Sequence, residues 1–272
     1  MPADHHDAES GASDARVMIF LKSPQEVALM RVANRVVIEI LAELRERIRP
    51  GIATGEVDQI AAELIRQKGV RSAFKGYQIR NGTVPFPATI CVSLNEEVVH
   101  GIPSLQRIVR EGDVVSLDFG VVYREFYGDA AMTFTVGEVS EQAHHLIETT
   151  AAALEEGIAQ ARVGNRLGDV SAAIQERVER DGFSVVREFV GHGIGRRMHE
   201  DPPVPNYGVR DRGVRLREGM VLAIEPMVNA GKAEVVLKSD GWTAVTRDGS
   251  LSAHFERSVA ITEKGPEVLG LP

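Results

Sequence analysis

At a shift of 113 residues the chain matches itself. Gly51, Gly55, Val57, Glu63 and Gly69 fall on Gly164, Gly168, Val170, Glu176 and Gly182, with Glu56 on Asp169 and Ile65 on Val178. Identity is low elsewhere, but three glycines in register at turn and cap positions are hard to obtain by accident. A helix starts at Ser23, where Ser-Pro-Gln-Glu forms a capping box, carries Val27, Met30, Val37, Ile40, Leu41 and Leu44 at helical spacing, and stops at Arg49-Pro50-Gly51. A second runs from Thr54 to about Lys68 and stops at Gly69. The plan recurs with a helix from Ser140 through Leu146, Ile147, Leu154 and Ile158, then one ending at Asp181-Gly182. Strand text follows each pair. The expected architecture is α+β in two similar halves, about 23–136 and 140–262, each two helices followed by antiparallel strands around a shared sheet. No Pro/Ser-rich linker divides them, so residues 17–272 read as one domain behind a disordered tail at 1–16. A cleft between two such halves is a natural ligand site.

With 272 residues, 43% of them hydrophobic, a sizeable core is available. The net charge of -8 argues against sequence-independent nucleic-acid binding, which needs a positive field to displace counterions. A single cysteine, Cys91, excludes an intramolecular disulfide and fits a reducing compartment, so a cytoplasmic location is expected. No apolar run approaches the roughly 20 residues that span a bilayer, and the first residues lack the order of a signal peptide. His5 and His6 belong to the solvated tail.

Several strand segments contain a charge that breaks their pattern. Asp118 interrupts VVSLDFG, Glu225 interrupts MVLAIEPMV, and Glu256 sits at the mouth of AHFERSVAI. An ionised carboxylate removed from water costs several kcal/mol even after relaxation, so each must be paired, coordinate a metal, or lie on a solvent-facing edge. Asp129 completes the set. Val114 to Val136 reads as a hairpin centred between Tyr123 and Arg124, which sets Asp118 and Asp129 opposite each other on neighbouring strands. Opposed like charges repel unless a divalent cation lies between them.

The stretch VGHGIGRRMHEDP adds two histidines, His192 and His199, seven residues apart on a glycine-rich loop. That spacing does not present both imidazoles from one regular helix as an HExxH motif does. Oxygen-rich ligands with one nitrogen and no thiolate cluster suit manganese, iron, cobalt or zinc rather than a structural Cys-zinc site. Four carboxylates carry too much negative charge for one ion, and two ions about 3.5 to 4 Å apart balance them.

SLDFG, YGDAAMTF, VGHGIGRRMHEDP, AIEPM and SAHFERSVAIT, with NEEVVHGIP upstream and WTAVTRDGS before the last, resemble the type I methionine aminopeptidases of the bacterial kind, within the M24 metallopeptidases, from about residue 20 to the C-terminus. The resemblance implies the pita-bread (creatinase/aminopeptidase) fold, a pseudo-twofold α/β structure with a curved antiparallel sheet flanked by helices. It implies Asp118, Asp129, His192, Glu225 and Glu256 as ligands of two divalent metal ions, with Asp129 and Glu256 bridging. His100 would contact substrate and assist proton transfer, His199 would reach the scissile carbonyl, and Glu225 would shuttle a proton. Cys91, Trp242, Tyr77 and Phe86 would line the methionine pocket. The implied activity is removal of the N-terminal methionine from nascent polypeptides with a small second residue, through attack of a metal-activated hydroxide. The implied setting is a cytoplasmic monomer, with the ribosome as a possible partner, no membrane and no sequence-specific nucleic acid.

The segment GYQIRNGTVPFPATIC is longer than the family's usual compact form, and Met198 stands where many members carry an aromatic residue. Only 26 positions separate His199 from Glu225, which favours type I over the branch with a large insertion there. His254 precedes Glu256 by two, and on a strand points to the same face. His144 and His145, in the helix after Ser140, read as solvent-facing or capping residues. Two other readings are an Xaa-Pro aminopeptidase or dipeptidase of the same fold, and a catalytically dead peptide-binding module. The first usually carries an extra N-terminal domain; the second is expected to lose ligands, and all five ligand positions are intact.

Overall fold

A computed structural model describes residues 18–78 and 84–271. The tail with His5 and His6 lies outside the described residues, as do residues 79–83 of the lengthened segment. Helix α1 (Pro24–Arg47) opens on its capping box: Ser23 Oγ accepts from the Glu26 N–H and the Glu26 carboxylate accepts from the Ser23 N–H. Helices α2 (Thr54–Lys68), α3 (Glu141–Gln160) and α4 (Leu167–Arg180) follow where the hydrophobic periodicity sets them.

The repeat is visible in the backbone. Gly51 and Gly164 adopt φ of 97° and 94°, and Gly69 and Gly182 adopt 65° and 83°. Gly55 and Gly168 are needed for close approach, since a Cβ would lie 2.8 Å from Leu105 N and 2.2 Å from Val209 O. Ala53 bridges Ile108 as Arg166 bridges Arg215. The carboxylates of Glu56 and Asp169 accept the N–H groups of Ala53 and Arg166, both at 2.7 Å. Beyond the helices the shift shortens to 107 residues: Arg71 pairs with Val122, and Ser184 pairs with Asn229. Carried along the strand, that relation sets Asp118 equivalent to Glu225.

Both halves build one nine-stranded antiparallel sheet. Its path runs Arg71–Ser72, Asp113–Tyr123, Phe126–Val136, Glu256–Thr262, Val221–Ile224, Gly191–Gly193 and Glu200–Val204; Cys91–Leu94 and Gly265–Val268 pair alongside. One core packs α1 and α2 on the sheet through Val37, Ile40, Leu44, Val57, Leu117 and Phe119. The other packs α3 and α4 through Leu146, Leu154, Val170, Ile174, Leu222 and Val259. Helices thus cover the outer side and the charged positions are left to the inner side. A three-stranded sheet of Val235–Leu237, Ala244–Thr246 and Glu97–Val99 brings Trp242 to the same region.

The central hairpin departs from the expected register. Tyr123 pairs with Phe126 around a two-residue turn at Arg124 and Glu125, whose φ values are 45° and 67°. Positive φ at both positions is the type I′ form that matches strand twist, adopted here without Asn-Gly. The centre therefore lies between 124 and 125, Asp118 faces Ala131, and Asp129 faces Gly120. The two aspartates are diagonal neighbours on one face rather than directly opposed.

Candidate metal centre

Pairing across the sheet aligns Cys91 with Asp118, Asp118 with Ala131, and Ala131 with Glu256. Glu225 follows the Ile224–Arg257 pair, and His192 pairs with Ala223 two residues before it. Alternation along each strand then directs Asp118, Asp129, His192, Glu225 and Glu256 to one face. Asp129 and Glu256 are each 2% exposed. Asp118 Oδ1, Asp129 Oδ1 and Glu256 Oε1 are buried without a hydrogen-bond partner. Ligand atoms of Asp129, His192 and Glu256 lie within 4.8 Å of one another. His192 Nε2 is 3.5 Å from Glu225 Oε1 and 3.9 Å from Asp129 Oδ2.

Burial pushes the Asp118 carboxyl up to about 6. Burial, and then the charges of their neighbours, push Asp129, Glu225 and Glu256 well above the usual carboxylate range. Burial holds His192 down at about 3, so it is neutral at physiological pH. Its Nδ1 meets the Gly193 carbonyl at 2.9 Å; a carbonyl only accepts, so Nδ1 carries the proton and Nε2 offers a lone pair to the carboxylate cluster. Orphaned oxygens that repel one another, with a neutral imidazole among them, fit a divalent cation and little else.

Linkage follows with a definite sign. At pH 6 the carboxylates with raised pKa hold protons that a cation must displace, whereas His192 is already deprotonated. Cation uptake at pH 6 is expected to release more than about one proton and to tighten as pH rises toward 8. Calorimetry in two buffers of different ionisation enthalpy measures the number; buffer-independent heats at pH 6 would contradict it.

A cavity of about 450 Å³ stands over this centre, lined by the eleven residues to which the resemblance gives a role: the five acidic and histidine positions above with Tyr77, Phe86, Cys91, His100, His199 and Trp242. Phe74, Glu188, Phe189, Val190 and Met198 also line it. Phe86 stands edge-on to Phe74 at 6.4 Å and to Trp242 at 5.3 Å, and Trp242 Nε1 donates to the Val84 carbonyl at 2.9 Å. His100, with φ of 60°, stands edge-on to Phe189 and Trp242. Burial, then the Asp118 charge, raises the Cys91 thiol, which makes it an inert wall. His254 lies behind the centre, its Nε2 3.5 Å from Glu225 Oε2.

The histidine loop is anchored from outside by Lys22. Its Nζ reaches Glu200 Oε2 at 2.5 Å, with both side chains almost wholly buried. Glu200 Oε1 accepts the N–H groups of Arg196 and Arg197. A Cβ on Gly195 would lie 2.4 Å from Lys22 Cε and 2.8 Å from Glu200 Oε1, so a larger residue there would push the ion pair aside.

A sequence model described as metallopeptidase family M24 matches residues 11–263. The chain belongs to metallopeptidase family M24. This M24 peptidase is 49% identical over 254 residues to the methionine aminopeptidase of Clostridium acetobutylicum, an alignment covering 93% of this chain and 99% of that protein. To methionine aminopeptidase 1 of Bacillus subtilis it is 49% identical over 252 residues, with the same shares covered. The crystal structure of a methionine aminopeptidase from Thermotoga maritima superposes with a TM-score of 0.90 at 49% identity, covering 94% of this chain and all of that one. A Xaa-Pro dipeptidase from Bacillus anthracis, with a TM-score of 0.72 at 22% identity and 62% of its length covered, shares the fold. The M24 peptidase therefore has the pita-bread architecture, a curved antiparallel sheet flanked by helices.

Proposed function

We propose that this M24 peptidase is a methionine aminopeptidase that removes the N-terminal methionine from polypeptides whose second residue is small. The observation that carries this reading is a buried carboxylate–imidazole centre at the floor of a cavity walled by Phe74, Phe86, Met198 and Trp242. Those walls give an unbranched thioether side chain apolar and ring-edge contacts. The near-complete coverage of the two bacterial methionine aminopeptidases supports it further.

Asp118, Asp129, His192, Glu225 and Glu256 would hold two divalent cations. Bound there, these supply Lewis acidity and an activated water at neutral pH. The remaining steps belong to the chain. Its aromatic walls hold the methionine side chain and exclude water from it. His199 donates from Nε2 to the scissile carbonyl oxygen as negative charge develops there. Glu225 takes a proton and delivers it to the leaving amine. His100, between Phe189 and Trp242, contacts the substrate backbone and assists proton transfer. The same reading makes the enzyme a cytoplasmic monomer that meets nascent chains at the ribosome. No helix among the described residues is long and apolar enough to cross a membrane.

A peptide panel tests the specificity. Free methionine is expected from Met-Gly-Met-Met and not from peptides beginning Met-Lys. Cleavage of Xaa-Pro peptides with no methionine release would overturn the reading in favour of a proline-directed peptidase of the same fold.

A further inference from the structure

The two histidines of the glycine loop differ in what meets Nδ1. His192 Nδ1 meets a carbonyl, but His199 Nδ1 lies 2.5 Å from Tyr77 Oη, with the ring centroids 5.2 Å apart and tilted by 46°. Among the described residues Tyr77 Oη has no other hydrogen-bond partner. A phenol hydroxyl facing an imidazole nitrogen donates to its lone pair, because the hydroxyl is the more acidic of the two groups. Burial raises the Tyr77 phenol further, so it keeps the proton it donates.

We propose that Tyr77 is a positioning residue for His199: its hydroxyl donates to Nδ1 and holds the imidazole in the tautomer that carries its proton on Nε2. The proposal rests on the reading of His199 as donor to the scissile carbonyl. A neutral imidazole whose Nδ1 accepts a hydrogen bond has a proton only on Nε2. The loop thus presents opposite tautomers from rings 4.2 Å apart: a lone pair on His192 Nε2 for the acidic centre, and an N–H on His199 Nε2 for the substrate.

Tyr77 is itself fixed before substrate arrives. Its N–H donates to the Phe74 carbonyl at 2.8 Å, and its carbonyl accepts from the Phe86 N–H at 2.8 Å. The Gly76 N–H donates to the Phe86 carbonyl at 2.9 Å. These bonds tie Gly76 and Tyr77 to Phe86 at the base of the lengthened 77–88 segment. Phe86 and Tyr77 both line the cavity, and Tyr77 is in addition a partner of the His199 imidazole.

The test is Tyr77→Phe, which removes one hydroxyl and keeps the ring. Zinc-refilled enzyme carrying 13C/15N-labelled histidine is examined by NMR, with His199 assigned by the signals lost in His199→Gln. The wild-type enzyme is expected to show the Nε2–H tautomer, and Tyr77→Phe a mixture. For Met-Gly-Met-Met, kcat should fall about tenfold while KM changes by less than about twofold. An Nδ1–H tautomer in the wild-type enzyme would overturn the proposal. So would a Tyr77→Phe enzyme with the wild-type tautomer, whether or not kcat falls. If the wild-type enzyme releases no methionine, the functional reading fails, while the tautomer measurement still decides the role of Tyr77.

Discussion

Asp129→Asn is expected to lose more than about 100-fold in kcat/KM for methionine release, since partners one shell further out typically account for 10–100-fold. The amide keeps the volume of the carboxylate and removes its charge where ligand atoms of His192 and Glu256 converge. Thermal stability should move the other way. Glu256, Asp118 and Glu225 all press on Asp129, so the cation-free variant should unfold at a higher temperature than the cation-free wild-type protein. The rise in unfolding temperature on adding cation should shrink. Calorimetric scans with and without manganese measure both, and full activity in the variant would remove Asp129 from the centre.

The second large effect is expected at the ion pair that anchors the histidine loop from outside. Lys22→Met leaves the buried Glu200 carboxylate without its cation, at a cost of about 3–5 kcal/mol. For a chain of this size that lowers the unfolding midpoint by roughly 10 °C. Lys22→Met combined with Glu200→Gln removes both charges, keeps an acceptor for the Arg196 and Arg197 N–H groups, and should recover most of the loss. A single variant as stable as the wild-type protein, measured by denaturant unfolding, would show that the pair anchors nothing.

What could be read in the sequence follows from the range of each physical rule. Helix boundaries come from local signals, so Ser23, Gly69 and Gly182 punctuate the chain where they punctuate the fold. The repeat was legible because left-handed turns and close approaches demand glycine, which leaves a mark even where identity is low. Asp118, Glu225 and Glu256 stood out because a carboxylate inside an apolar strand is costly. Register leaves a weaker mark: Arg124 and Glu125 form a type I′ turn without its usual residues, so the sequence points to a hairpin centre between 123 and 124, and only the fold shows Asp129 opposite Gly120.

Other features of the site depend on contacts between residues far apart along the chain. Lys22 and Glu200 are 178 residues apart, and neither carries a local sign that it will be buried. Phe74, Phe189 and Val190 read as ordinary apolar residues, and only the closure of the sheet makes them cavity walls. His254 did leave a signal, its spacing of two from Glu256, and it lies directly behind Glu225. Tyr77 was legible as a wall but not as a hydrogen-bond partner, because its contact with His199 spans 122 residues.

The most direct measurement strips the protein with chelator, returns manganese or cobalt in steps, and follows the products of Met-Gly-Met-Met. The stripped protein should be inactive. Activity should rise with added cation, and free methionine should be the first and sole amino acid released, with Gly-Met-Met accumulating in equal amount. Full activity without cation, or release of Met-Gly in place of methionine, would contradict a cation-dependent centre that removes one N-terminal residue.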